Sequence, residues 1–126
     1  MKITKKVAVS VETSYKPGYS NPSNSEYVFA YRITIENFGE FTVKLLKRYW
    51  FVFDSNGLWK EVSGDGVVGK SPVISPMRNY QYVSACCFKT EIGKMRGKYL
   101  MERVEDGKKF YVHIPEFTLI TPFKLN

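Results

Sequence analysis

Cysteine, histidine, acidic residues and long apolar runs are the scarce things in this sequence. Of its 126 residues two are cysteine, the adjacent Cys86 and Cys87. A vicinal pair cannot make a framework of loop-closing disulfides, so the fold has to rest on a hydrophobic core. The pair lies in an apolar neighbourhood, where a free cysteine is commonly buried. His113 is the one histidine. A zinc site needs several nitrogen or sulfur ligands at workable spacing. One histidine and a vicinal cysteine pair do not supply them, and no metal or other cofactor is expected. The same shortage leaves no Ser–His–acid or Cys–His constellation, and no nucleophile-elbow motif accompanies His113. Glu105-Asp106 reads as a hairpin turn and not as a carboxylate pair. Catalysis is therefore not expected. No run approaches the ~18 apolar residues of a membrane span. The lysines of Met1–Lys6 have no apolar stretch behind them, so no signal peptide is expected, and the setting reads as cytoplasmic.

What is present is ordinary in amount and unusual in kind. Hydrophobic residues are 44% and charged residues 25%, which places the chain among globular domains. The length fits one domain spanning residues 1–126. Aromatics reach 16%, and 19 Lys and Arg against 12 Asp and Glu leave a formal net charge of +7. Basic plus aromatic is the composition of a nucleic-acid binder. It is equally that of a β-rich core under a lysine-decorated surface, and nucleic acid is the partner with least support.

The apolar period is two nearly everywhere. Val7, Val9 and Val11 alternate with smaller or polar residues, as do Tyr27, Phe29, Tyr31, Ile33 and Ile35. Each set predicts a strand with one apolar face. Tyr15–Ser25 is dense in turn formers and predicts a loop. Asn37–Glu40 predicts a turn. Phe41–Asp54 is apolar on both faces toward Tyr49-Trp50-Phe51-Val52-Phe53, which predicts a strand central in its sheet. Asp54-Ser55-Asn56-Gly57 predicts a hairpin turn, and Leu58–Val62 the returning strand. After the glycine- and proline-punctuated stretch Ser63–Met77, four more segments read as strands: Tyr80–Ser84, Gly97–Val104, Lys109–Ile114 and Phe117–Ile120. Many short strands at close spacing predict an all-β antiparallel sandwich or barrel. Phe29, Tyr31, Trp50, Tyr82 and Phe117 are the expected core aromatics, and Trp59, Tyr19 and Phe123 fall in or near loops and ends.

Several stretches carry a family resemblance over essentially the whole chain. They are Val9–Tyr15, Ser20-Asn21-Pro22, Tyr27–Tyr31 with Ile33–Asn37, Arg48-Tyr49-Trp50, Gly64–Gly69, Met95–Tyr99, Ile114–Leu119 and the terminal Leu125-Asn126. In these the sequence resembles the ApaG (CorD) family. The resemblance implies a fibronectin type III-like, that is immunoglobulin-like, antiparallel β-sandwich. It also implies a genetic link to cobalt resistance and magnesium efflux, with an unsettled molecular activity. Related domains in some eukaryotic F-box proteins and in a DNA-polymerase-interacting protein look like protein-interaction modules. Three positions depart from the family pattern. Tyr49 stands where histidine is usual, which weakens any role for a family histidine. Met77 stands where glycine is usual and Cys87 where proline is expected; both are read as altering a turn.

Gly64-Asp65-Gly66-Val67-Val68-Gly69 fits G-x-G-x-x-G, and with Lys70-Ser71 it also fits the P-loop pattern. Both patterns need a strand before and a helix after. Here Pro72 and Pro76 follow, and Pro76 would break a helix starting at that point. The glycines are therefore expected to serve a sharp turn or a close backbone approach. A weaker functional form remains: a nest of backbone N–H groups for a diphosphate or nucleotide, with Lys70 adding charge. Lys94, Arg96 and Lys98 share one face if their stretch is extended, with Met95, Gly97 and Tyr99 on the other. That stripe would receive phosphate or an acidic partner, or would serve only as a solvated, aggregation-resistant edge. Lys44, Lys47 and Arg48 form a second basic cluster. Arg48 is expected on the face of Leu46, Trp50 and Val52, where it would need a carbonyl or carboxylate partner. On His113's strand, Tyr111 and His113 are expected to face outward.

Two functions remain. One is a non-enzymatic protein-interaction module contacting an unidentified protein through the Gly64–Gly69 loop and the Lys94–Lys98 stripe. The alternative is a diphosphate or nucleotide binder using Gly64, Gly66, Gly69, Lys70 and Arg96. An exposed sheet edge would also allow a homodimer.

Overall fold

A computed structural model of the chain describes residues 1–124. Leu125-Asn126, part of the family resemblance, lies outside the described residues. The described chain is nine strands and three short 3₁₀ turns. The strands are β1 (Lys2–Thr4), β2 (Val7–Tyr15), β3 (Tyr27–Asn37), β4 (Val43–Asp54), β5 (Trp59–Asp65), β6 (Val73–Ile74), β7 (Asn79–Phe88), β8 (Ile92–Arg103) and β9 (Lys109–Ile120). They form two antiparallel sheets. One has the order β1-β2-β3-β7; the other has the order β5-β4-β8-β9, with β6 added to β4. This is the fibronectin type III-like sandwich anticipated above.

The period-two patterns place the core. Tyr27, Phe29, Tyr31, Ile33 and Ile35 of β3 are all buried, and they meet Trp50 and Val52 of β4 and Met95, Tyr99 and Met101 of β8 between the sheets. Tyr31 packs edge-on against Trp50 at 5.7 Å, and Trp50 against Phe117 at 5.9 Å. Of the expected core aromatics, Phe117 alone is only half-buried. Trp59, Tyr19 and Phe123 are exposed, as their positions suggest.

The differences from the sequence reading have physical reasons. Lys109–Ile120 is one strand and not two. Against β8 its register shifts between Met95/Gly97, so that Pro115 and Glu116 together face Arg96. A proline has no N–H to give a ladder, and a bulge tolerates it. β7 and β8 run longer than their apolar cores, because ladder hydrogen bonds continue past the alternating residues. Cys87 lies inside β7, paired with Val28, and not in a turn. It is exposed, while its neighbour Cys86 is half-buried, since adjacent strand residues point to opposite faces. Asn37 closes a buried corner. Its side-chain N–H₂ donates to the carbonyls of Phe41 and Ile74 at 2.8 and 3.0 Å, and its Oδ1 accepts from Gly39 N–H at 2.9 Å.

Candidate basic–aromatic sheet face

The outer surface of the larger sheet gathers the chain's unusual composition into one place. β4 is central, as expected, lying between β5 and β8. Its second apolar row is nevertheless not core. Trp50 and Val52 point inward and are buried, while Phe53 on the other side is 38% exposed. Tyr49, Phe51 and Phe53 thus form an outward row. The antiparallel register sets Lys98 opposite Tyr49, Arg96 opposite Phe51 and Lys94 opposite Phe53. Both rows have spacing two, so every cation lies beside a ring. Lys94 Nζ is 5.4 Å from the Phe53 centroid, and the Arg96 guanidinium is 5.3 Å from that of Phe51. Lys98 Nζ is 5.8 Å from the Tyr49 centroid and 4.2 Å from that of Tyr111. Such contacts hold long cationic side chains against the sheet while their heads stay in water.

The flanking strands complete the face. Trp59 of β5 pairs with Phe53, and Glu61 with Phe51. His113 of β9 pairs with Lys98. Trp59 is 63% and Tyr111 45% exposed. Two shallow depressions result. One of ≈ 330 Å³ is bordered by Phe53, Trp59, Lys94, Arg96 and Glu116. The other, of ≈ 570 Å³, is bordered by Lys2, Arg96, Lys98 and His113. Lys94, Arg96 and Lys98 therefore share the outer face, as the stripe requires, with Met95 and Tyr99 buried on the inner one. Tyr111 and His113 face outward as anticipated.

The glycine loop is built differently. Val68 and Gly69 both have positive φ (47° and 74°), and Val67 and Lys70 exchange two backbone hydrogen bonds across them at 2.7 and 3.0 Å. Gly66 N–H is bonded to the Leu46 carbonyl at 2.8 Å. The N–H groups of Gly66, Val67 and Lys70 are thus committed to the fold rather than presented as a nest. A Cβ on Gly66 would collide with the Lys70 carbonyl, and one on Gly64 would lie 2.8 Å from the Arg48 guanidinium. Gly64 is bare because Arg48 crosses it. Arg48 Nη1 donates to the carbonyls of Asp65 and Gly66, at 3.0 Å each, which supplies the partners expected for this residue. Arg48 turns to the inner side while Lys47 is exposed, so the second basic cluster is divided. Neither depression on the sheet face includes Gly64, Gly66, Gly69 or Lys70, so the loop and the stripe are separate features.

Inside the sandwich, Tyr82 of β7 and Tyr99 of β8 join the two sheets by a 2.5 Å hydroxyl–hydroxyl hydrogen bond. Burial raises the pKa of both phenols, and the Tyr82–Tyr99 bond partly offsets the rise at Tyr82. Burial likewise pushes the Cys86 thiol up to about 12, with Cys87 adding to the shift. A thiol so held is a poor nucleophile near neutrality, since the thiolate is the reactive form. Among the described residues no group of three or more His, Cys, Asp and Glu is placed to hold a metal ion.

What the residues could not disclose is the pairing of the two outward rows. The cations were visible at spacing two, and so were the rings. Forty-five or so positions separate them, and only strand register brings them side by side.

Comparisons with known proteins agree over nearly the full length. Residues 17–103 match the model of the ApaG domain. A Protein ApaG from Sinorhizobium fredii is 45% identical over 120 residues, covering 95% of this chain and 92% of its own length. A Protein ApaG from Brucella abortus matches to the same extent, again at 45% identity with coverage of 95% and 92%. A crystal structure of a Bordetella pertussis protein described as ApaA superimposes with a TM-score of 0.88 at 40% identity, covering 92% of this chain and 94% of that one. A FixG-related protein from Vibrio parahaemolyticus, at 8% identity and a TM-score of 0.51, shares the fold alone, covering 94% of this chain and 99% of that one.

Proposed function

This chain belongs to the ApaG domain family, and from that premise we propose that it is a non-enzymatic protein-interaction module whose contact surface is the outer face of the β5-β4-β8-β9 sheet. One observation carries the reading: exposed Trp59, Phe53 and Tyr111 lie beside Lys94, Arg96 and Lys98 on a single sheet face. Tryptophan, tyrosine and arginine are the side chains that anchor interfaces when a partner desolvates them. The cations select a partner segment rich in Asp and Glu. An extended acidic segment can set its carboxylates on the cations while its apolar side chains cover the rings between them. A cytoplasmic setting fits the two cysteines, which stand as free thiols.

The family's link to cobalt resistance and magnesium efflux is then exercised through the partner and not by chelation. His113 lies on the β5-β4-β8-β9 sheet while Cys86 and Cys87 lie on the opposite one, so these donors do not converge.

The test is a residue-resolved amide chemical-shift titration of the whole chain, at low and at physiological salt. The probes are an acidic peptide containing aromatic residues, pyrophosphate and an oligothymidylate. Saturable shifts with the peptide, confined to the Trp59, Arg96 and Tyr111 strands and weakened about tenfold in Arg96→Ala and Trp59→Ala, are expected at physiological salt. Shifts with pyrophosphate confined to Gly64–Lys70 and Arg96 would instead establish the diphosphate reading. Shifts that vanish with salt for every probe would leave the face as a solvated surface.

A further inference from the structure

A third depression lies at one end of the sandwich, where three connections meet. It has a volume of ≈ 320 Å³. The β1–β2 turn contributes Lys5 and Lys6, the β3–β4 connection Glu40 and Phe41, and the β8–β9 hairpin Arg103, Lys108 and Phe110. Its floor is apolar and its rim is cationic. Lys5, Lys6, Arg103 and Lys108 supply four formal positive charges. Glu40, and Asp106 in ion pair with Arg103, supply two negative ones. The difference, 4 − 2, is a formal +2.

Three details set this end apart from a solvated lysine rim. The Arg103 guanidinium lies 3.6 Å from the Phe41 ring centroid, so its plane is held against an apolar wall. Its Nη2 is 2.8 Å from Asp106 Oδ2, yet its Nε is buried with no hydrogen-bond partner. A buried N–H without an acceptor asks for an explanation in a folded protein. Finally, Lys5 and Lys6 both have positive φ, 48° and 65°. A two-residue hairpin turn of that shape normally takes Asn-Gly, because side chains with Cβ are strained there. Backbone strain kept in a sheet-end turn is a recurrent property of binding sites.

We propose that this cavity binds a small phosphomonoester with a single aromatic body. A phosphomonoester carries a charge of about −1.5 to −2 near neutral pH, which matches the formal +2 of the rim. Arginine is the residue that presents a planar set of donors to phosphate, and Arg103 lines the cavity together with Lys5, Lys6 and Lys108. The aromatic body lies against Phe110 and the edge of Phe41, whose face carries the Arg103 guanidinium. A volume of ≈ 320 Å³ stands at the small end of ligand pockets, enough for one ring system with its phosphate and too little for a polymer. The site is independent of the sheet-face reading, for the two share no residue.

The test is an amide and arginine side-chain chemical-shift titration of the full chain with 1-naphthyl phosphate at physiological salt, with 1-naphthol and inorganic phosphate as matched controls. Naphthyl phosphate is expected to give saturable shifts at Lys6, Gly39, Phe41 and Phe110, together with movement of the Arg103 Nε–H signal. Each control alone should bind at least tenfold more weakly. Arg103→Gln should reduce affinity at least tenfold. Should that variant fold poorly, the exposed Lys5→Gln/Lys108→Gln pair, distant from the core, should weaken binding by a similar factor. Equal binding of either control, shifts centred on Trp59 and Lys94–Lys98, or no saturable shift at all would each overturn the proposal.

Discussion

Met77 sits at φ 64°, in the left-handed region that glycine occupies without cost. Its N–H still donates to the Asn37 carbonyl at 2.7 Å, so the turn that shapes this corner is kept despite the Cβ. The family resemblance puts glycine here, and the backbone angle supplies the reason. Met77→Gly is expected to stabilise the protein by about 0.5–1 kcal/mol, read as a higher urea midpoint with an unchanged slope. The cysteines make a second contrast between neighbours. Cys87 is exposed, whereas Cys86 is half-buried with its thiol pushed up to about 12. A thiol reagent at pH 8 should modify one cysteine quickly. Cys87→Ser should remove that fast phase, and Cys86→Ser should leave it intact. Neither contrast is legible from composition: adjacent cysteines in an apolar stretch look alike until a strand turns them to opposite faces.

At the scale of the element, three glycines show how closely strands and side chains approach. A Cβ on Gly97 of β8 would collide with the Tyr49 carbonyl and lie 3.0 Å from the Trp50 ring. Neither the backbone nor a buried indole can yield, so Gly97→Ala should cost about 1–3 kcal/mol. Gly66→Ala should cost at least as much, since it meets the Lys70 carbonyl at a φ of 59°. Gly64→Ala meets only the end of the Arg48 side chain and should cost about 1 kcal/mol, within the range for a lost hydrogen bond. Urea unfolding of the three variants gives the order directly. A milder effect of Gly66→Ala than of Gly64→Ala would contradict this account of the loop. The glycine spacing was plain in the sequence and matched two phosphate-binding patterns. The turn at Val68-Gly69 and the crossing of Arg48 give those glycines their structural work.

For the whole molecule, the groups held between the sheets titrate together. Burial raises Tyr31, Tyr82, Tyr99 and Cys86 above their ordinary values of 10.0 for the phenols and 9.0 for the thiol. The folded state thus favours the protonated forms, while the unfolded chain ionises at the ordinary values. Their contribution to stability is complete below about pH 9 and is lost as pH rises from there toward the folded values. The urea midpoint should be level between pH 6 and 8 and fall steeply above pH 9. Replacing Tyr82 and Tyr99 together with Phe should flatten that fall, because both hydroxyls of the inter-sheet bond leave at once.

Pattern along the chain is enough to fix the class of the molecule. Period-two alternation along Val7–Val11, Tyr27–Ile35 and Lys94–Tyr99 sorts residues onto two faces wherever the backbone is extended, and that sorting needs no knowledge of neighbours. The family is legible too, through motifs spread along the whole chain, as is the need of Arg48 for a carbonyl or carboxylate partner. Which outward rows stand together depends instead on long-range strand pairing. The register of β4 against β8 puts Lys94, Arg96 and Lys98 beside Phe53, Phe51 and Tyr49, and a one-residue slip would have turned each row to the other side. The cationic mouth was likewise invisible, since Lys5, Phe41 and Arg103 meet only where three connections close one end of the sandwich. Local pattern fixes the side on which a residue lies, and long-range pairing fixes its company.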